Sequence, residues 1–239
     1  MNLPQPPPDL PAPLPEEKVL PSRSKLSWII RGFLALLLVS VLAGLLHPPQ
    51  IRRSARAADR TEALNNIKQI GAMLLEFDTE YGRFPDASTV AAIKAATGTP
   101  LTLDSASSND LFRQLIIGGG GRSEKPFWAK TPISPKKADD LFGTDANTLA
   151  KGECGFAYIA GLSASDDPET PLAMTSLLPG ELLFDTEAFQ GKAVILFVDN
   201  SARTLPVEKD GKVLINGMDV FDPRQPFWKG KRPDVKWPE

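Results

Sequence analysis

Enzymatic chemistry needs a base, a nucleophile or a metal ligand, and this 239-residue chain offers few of them. Its one histidine, His47, stands directly before Pro48 and Pro49 at the end of an apolar run. A single imidazole cannot build a His-based metal site, and a Ser-His-Asp triad would have to use this one residue at a lipid boundary. The one cysteine, Cys154, excludes an intrachain disulfide. It reads as a small buried hydrophobe, with a reactive thiol as the sharper alternative.

Carboxylates are the remaining route to general acid–base work. They occur as Asp139-Asp140, Asp166-Asp167, and Asp104 with Asp110, all in polar, turn-like stretches where solvated carboxylates are the commoner use. Ser165-Asp166-Asp167-Pro168-Glu169-Thr170 gathers oxygens suited to Ca²⁺ but lacks the Asp-x-Asp-x-Asp-Gly spacing of a dedicated loop. The glycines Gly118 to Gly121 invite a phosphate-loop reading. The continuation Gly121-Arg122-Ser123-Glu124-Lys125-Pro126 lacks the Gly-Lys-Ser/Thr that opens a helix, so a flexible loop is expected. No residue is assigned a catalytic, cofactor-binding or metal-binding role. An extracytoplasmic hydrolase working through acid pairs is the enzymatic rival. The net charge of −2 divides into +1 over residues 1–46 (four bases, three acids) and −3 over the rest (23 bases, 26 acids), which gives no electrostatic ground for nucleic acid.

The elements that would position these residues begin with a proline-rich tail, 1–27. Proline lacks an N–H and fixes φ, so this stretch is expected to be disordered or polyproline-like, with a PxxP ligand as the sharper reading. Residues 28–47 follow as an expected transmembrane anchor. Gly32 to Leu46 carries no charge, and with Trp28 to Arg31 added a helix of ~19 residues would be ~28 Å long, near the hydrocarbon thickness. Trp28 suits the interface, Arg31 can snorkel, and Pro48 and Pro49 stop the helix. A cleaved signal peptide, cut near Ala55-Arg56-Ala57, and a buried core helix are the competitors. Flanking positive charge is nearly balanced. The N-terminus is placed inside because a disordered tail needs no export and the large domain follows the anchor.

Residues 48–221 read as one α+β domain. From Ala57 to Tyr81 the apolar positions Leu64, Ile67, Ile70, Leu74, Phe77 and Tyr81 fall on one helical face. Gly82 and Pro85 end that helix. Short helices are expected over 89–97, capped by Asp86 or Ser88, and over 110–117, capped by Ser108 or Asn109. Strands are expected over 155–160, 182–184, 193–198, 203–207 and 213–215, with turns at Asp199-Asn200-Ser201 and at 209–212 and an edge at Pro206. Helices first and a meander after is the α+β pattern. Residues 222–239, with Pro223, Pro226, Pro233, Pro238, Phe227, Trp228 and Trp237, read as an irregular tail whose aromatics cover the sheet or a neighbouring subunit.

Anchor, then ALNNIKQIGAMLLEFDTEYGRFPD over 63–86, then a helix-loop segment and a small antiparallel sheet, resembles the pilin-like proteins of type II secretion, the major pseudopilin kind in particular. Asn65-Asn66-Ile67-Lys68-Gln69-Ile70 and Tyr81-Gly82-Arg83-Phe84-Pro85 resemble that family's helix and its exit turn. Ile195 to Ser201 is similar to the late hairpin of related pilin-like proteins. The resemblance covers about residues 28–85, and 190–205 more loosely. It implies a transmembrane helix, a long amphipathic helix packed on a small antiparallel sheet, and no enzymatic activity or cofactor. It implies work by protein–protein contact: partners in the lipid bilayer and among other envelope or secretion proteins, a homo-oligomer among the possibilities, and a place in the inner membrane with the C-terminal domain in the periplasm. The family's peptidase site carries a Glu five residues into the mature chain. Here Gly32-Phe33 is present and that fifth position is Leu37, so a permanently anchored protein is expected. A membrane-tethered extracytoplasmic binding or sensing module of the same fold is the alternative.

Overall fold

A computed structural model describes residues 23–46, 48–119, 121 and 123–239, with the side chains of 23–26, 42–46 and 48–53 outside that description. The proline-rich tail up to residue 22 and the readings placed on His47, Gly120 and Arg122 lie outside the described residues. The chain divides into two compact units between Gln50 and Ile51. The first holds α1, Arg23–Leu46. Helix α2, Pro48–Tyr81, follows. It begins at Pro48 rather than at Ala57, because proline is tolerated in the first helical turn, where its missing N–H would have no helical partner. Residues 54–56 are exposed, so this stretch has no apolar stripe by which the sequence could announce it.

Within the second unit the expected stripe is the core face of α2: Ile67, Ile70, Leu74 and Phe77 are fully buried. At its N-terminal end the fully buried residue is Ala63, while Leu64 and Tyr81 are partly buried against the same cluster. The helix closes at Gly82, whose φ of 77° is left-handed and whose N–H donates to Asp78 O at 2.7 Å. Helix α3, Val90–Thr97, is preceded by Thr89 without a side-chain cap. Asp86 instead accepts from Ser88 N and Oγ in a turn before the helix. Helix α4, Ser108–Gly118, is capped by Ser107, one residue earlier than expected. Its Oγ accepts from Asp110 N, while Ser107 N–H donates to Asp110 Oδ2, a reciprocal capping box.

The main sheet is antiparallel throughout. Its strands are β1 Ala157–Ala160, β2 Pro171–Thr175, β3 Lys192–Phe197, β4 Ala202–Pro206 and, after a small hairpin of β5 Leu214–Ile215 and β6 Met218–Asp219, β7 Asp234–Lys236. The order is β4-β3-β2-β1-β7. The expected meander runs through β1 to β4, and Pro206 does lie on an edge strand, but the strand expected over 213–215 pairs with β6 in a separate two-stranded hairpin instead of continuing the sheet. Three further readings change. Strand β2 was not expected, because Pro-Leu-Ala-Met-Thr has little intrinsic strand preference, yet all five residues are buried between β1 and β3. The stretch 182–184 is no strand and holds only a single bridge, Leu177 to Phe184. The tail 222–239 is not wholly irregular: β7 pairs with β1 through Ile159 and Val235. Its flanking prolines, Pro233 and Pro238, confine it to three residues at the sheet edge.

Period-two alternation sends successive residues of β3 to two cores. Val194, Leu196 and, just past the strand, Val198 join α2, α3 and α4 on one face, with Phe112, Phe127 and Tyr158. Ala193, Ile195 and Phe197 join Val213, Val220, Phe221, Phe227 and Trp228 on the other. The C-terminal aromatics thus cover the sheet, one of the two roles expected of them. The described chain is α+β, with helices on one face of an antiparallel sheet and a C-terminal cover on the other.

Candidate functional site

The residues with chemical potential are engaged in holding turns. Buried Glu124 accepts from Leu149 N with one carboxylate oxygen and from Asp140 N, at 3.1 Å, with the other. Asp140 answers by accepting from Glu124 N at 2.9 Å and from Ser123 Oγ, and pairs with Lys125 Nζ at 2.9 Å. Burial raises the pKa of Glu124, with the Leu149 N–H acting against it. The Lys125 and Glu124 N–H bonds lower that of Asp140. Glu153, also buried, accepts from Ala150 N at 2.6 Å, and burial raises its pKa. A cavity of about 210 Å³ beside Lys125 is lined by Glu62, Asn66, Lys125, Trp128, Lys137 and Ala138 and by neither buried carboxylate. What the cluster does is join the loop 139–153 to the segment before the Pro126 turn.

Each acid pair read from the sequence is engaged in local hydrogen bonds, and Asp139 and Asp140 stand near the buried Glu124 and Glu153. Asp139 accepts from Leu141 N, Asp166 from Ser163 N and Oγ, and Asp104 from Ser105 N. Asp110 serves the capping box and pairs with Arg113 at 2.9 Å. In the segment considered for calcium, Asp167 accepts from Glu169 N, and Glu169 is spent on a two-pronged pair with Arg203 at 2.8 Å for each bond. Among the described residues no group of three or more His, Cys, Asp or Glu side chains could hold a metal ion. Cys154 is fully buried, with its thiol near Ser108 Oγ and Phe156 O, and burial pushes its pKa up to about 12. That is the environment of a packing residue.

What the sequence did not signal is the buried Glu124, since a lone Glu in a polar stretch has no periodicity to betray burial. Arg113, which donates to Thr148 O at 2.6 Å while pairing Asp110, was likewise silent.

The strongest candidate for a functional surface is α1. Its large apolar side chains from Trp28 to Val41 are 51–76% exposed, on every side of the helix. The hydroxyl of Ser40, lying among them, donates to Leu36 O at 2.8 Å within the helix. A soluble helix buries one stripe and leaves the rest polar, whereas this one is apolar all round. Among the residues whose side chains are described, no helix is long and apolar enough to cross a membrane. In α1 that stretch is 27–41, ~22 Å at ~1.5 Å per residue against a hydrocarbon core of ~30 Å, while the helical backbone continues from Arg23 to Leu46.

Helices on one face of a five-stranded antiparallel sheet, with an exposed apolar helix earlier in the chain, define an α+β class. No family model matches the chain, and no curated protein or solved structure matches it.

Proposed function

We propose that this protein is a non-enzymatic, membrane-anchored, pilin-like component of a type II secretion or related envelope system, acting through protein–protein contacts. The observation that carries the reading is the exposed apolar surface of α1 from Trp28 to Val41. Placing such a surface in water is costly at about 25 cal/mol per Å², and lipid removes that cost. Two further features support it: the long α2 packs its buried stripe on an antiparallel sheet, and its exit turn at Gly82 leads into the buried Phe84. The mechanism is mechanical. The anchor holds the protein at the inner membrane, and the domain presents its loops to partners. Leu37, standing where a processing Glu would be needed, favours an anchor that is never released.

Fractionation of cells producing the native chain tests this. The protein should pellet with membranes through a high-salt wash, with its N-terminus intact by mass spectrometry. Leu37→Arg/Leu38→Arg, which places two charges mid-helix at about 2.5–3.5 kcal/mol each, should move it to the soluble fraction. An intact chain in the washed soluble fraction would overturn the reading. Cutting at Gly32 would replace permanent anchoring by processing.

A further inference from the structure

Outside α1 the exposed large hydrophobics of the described chain fall into two groups. Leu141 and Phe142 are 53% and 39% exposed on the loop Asp139-Asp140-Leu141-Phe142-Gly143-Thr144-Asp145. Leu182 and Leu214 are 41% and 40% exposed beside the C-terminal cover. Leu182 rims a cavity of about 480 Å³ with Pro223 and Trp237, floored by Phe221 and Val235 and walled by Arg232, Pro233 and Asp234. That wall is shared with a second, more polar cavity of about 210 Å³ that Lys229, Lys231 and Arg232 also line. Among the described residues these three cations make no ion pair and no side-chain hydrogen bond. Asp234 is neutralised by Lys236 at 3.0 Å, and Asp166 is held by Ser163. One end of the groove is therefore apolar and the other carries uncompensated positive charge.

The loop 139–145 is the counterpart in both respects. Its two apolar side chains are flanked by Asp139, whose carboxylate accepts the turn N–H of Leu141, and Asp145, whose carboxylate accepts the N–H of the distant Thr102, and neither has a cation within ion-pair distance among the described residues. We propose that the loop 139–145 of one copy of this chain docks in the groove between Leu182 and Trp237 of a second copy. Leu141 and Phe142 enter the apolar end, and Asp139 and Asp145 face Lys229, Lys231 and Arg232. Apolar anchors supply the affinity, and charge complementarity fixes the register and rejects the reversed pairing. The contact uses different surfaces on the two copies. It does not depend on α1 lying in lipid, so its failure and the failure of the anchor reading are separable.

The test is site-directed crosslinking of the full chain, purified in mild detergent. Leu141→Cys chains and Leu182→Cys chains, differently tagged and mixed, are treated with a short bismaleimide. The buried Cys154 should stay unlabelled. Mixed-tag dimers are expected, with few between two Leu141→Cys chains. Lys231→Glu/Arg232→Glu on the Leu182→Cys chain should lower the yield about tenfold, equivalent to ~1.4 kcal/mol. Adding Asp139→Lys/Asp145→Lys to the Leu141→Cys chain should restore it. Near-UV circular dichroism of each variant reports its folding. Absence of mixed dimers would overturn the proposal, as would a yield that ignores the charge reversals or dimers formed equally among Leu141→Cys chains.

Discussion

Gly71 of α2 lies directly beneath Asn200 at the tip of the β3–β4 hairpin: a Cβ at Gly71 would stand 2.1 Å from Asn200 Oδ1 and 2.9 Å from Leu196 Cδ1. The helix motif and the late hairpin, far apart in sequence, meet at this point. Asn200 turns the hairpin with a φ of 64° and is exposed, so its side chain can move aside. Leu196 is fully buried and cannot do so cheaply.

Gly71→Ala is therefore expected to destabilise the domain. The helix gains up to ~1 kcal/mol in propensity, but crowding a packed core costs about 1–3 kcal/mol. Asn200→Gly should recover part of the loss by removing the nearer clash at a position that already favours glycine. A thermal melt in which Gly71→Ala is raised would show that the hairpin does not rest on α2 as described.

Leu74→Asp should unfold the domain outright. The position is completely buried in the main core, and an unpaired carboxylate there costs several kcal/mol. Leu74→Ala should cost about 2–5 kcal/mol and leave a folded protein. Denaturant titration distinguishes the two, and a Leu74→Asp chain melting within a degree or two of the parent would remove α2 from the core.

Glu124→Gln tests the carboxylate that joins the 139–153 loop. The amide turns one acceptor into a donor facing an N–H, an expected loss of about 1–3 kcal/mol at neutral pH. In the folded state burial raises the Glu124 pKa above that of the unfolded chain. The folded state therefore holds this proton more tightly, and stability from this group rises as pH falls through the folded pKa toward the ordinary carboxylate value. The gap in Tm between parent and variant should widen over that window. A gap independent of pH would mean that Glu124 is not buried as a carboxylate.

Cys154 should be silent toward thiol reagents at pH 8 in the native protein and reactive after denaturation, because its thiol is buried with a pKa pushed up to about 12. The unfolded thiol ionises near pH 9 and the folded one does not, so rising pH should favour unfolding between those values. Rapid labelling of the native chain would contradict the packing around Ser108 and Phe156.

Ser107→Ala should cost about 0.5–2 kcal/mol through loss of the α4 capping box. A melt unchanged from the parent would place the cap elsewhere.

The sequence by itself determined what depends on local pattern. The spacing of Ile67, Ile70, Leu74 and Phe77 marked the buried face of α2, Gly82 marked its end, and Ala193 to Val198 marked a central strand. Each follows from a period in the chain or from a single residue's backbone freedom. The apolar run of α1 was equally legible, because a helix without a polar face needs no tertiary context to be recognised. Tertiary structure decided the rest. Pro171 to Thr175 becomes a strand because β1 and β3 bury it on both sides, and Asp234 to Lys236 becomes one because Ile159 offers a free edge. Neither segment prefers that conformation alone. The candidate contact between copies was illegible for the same reason. Leu182, Phe221, Arg232 and Trp237 are scattered along the chain, and only the folding of the C-terminal cover over the sheet brings them to one groove.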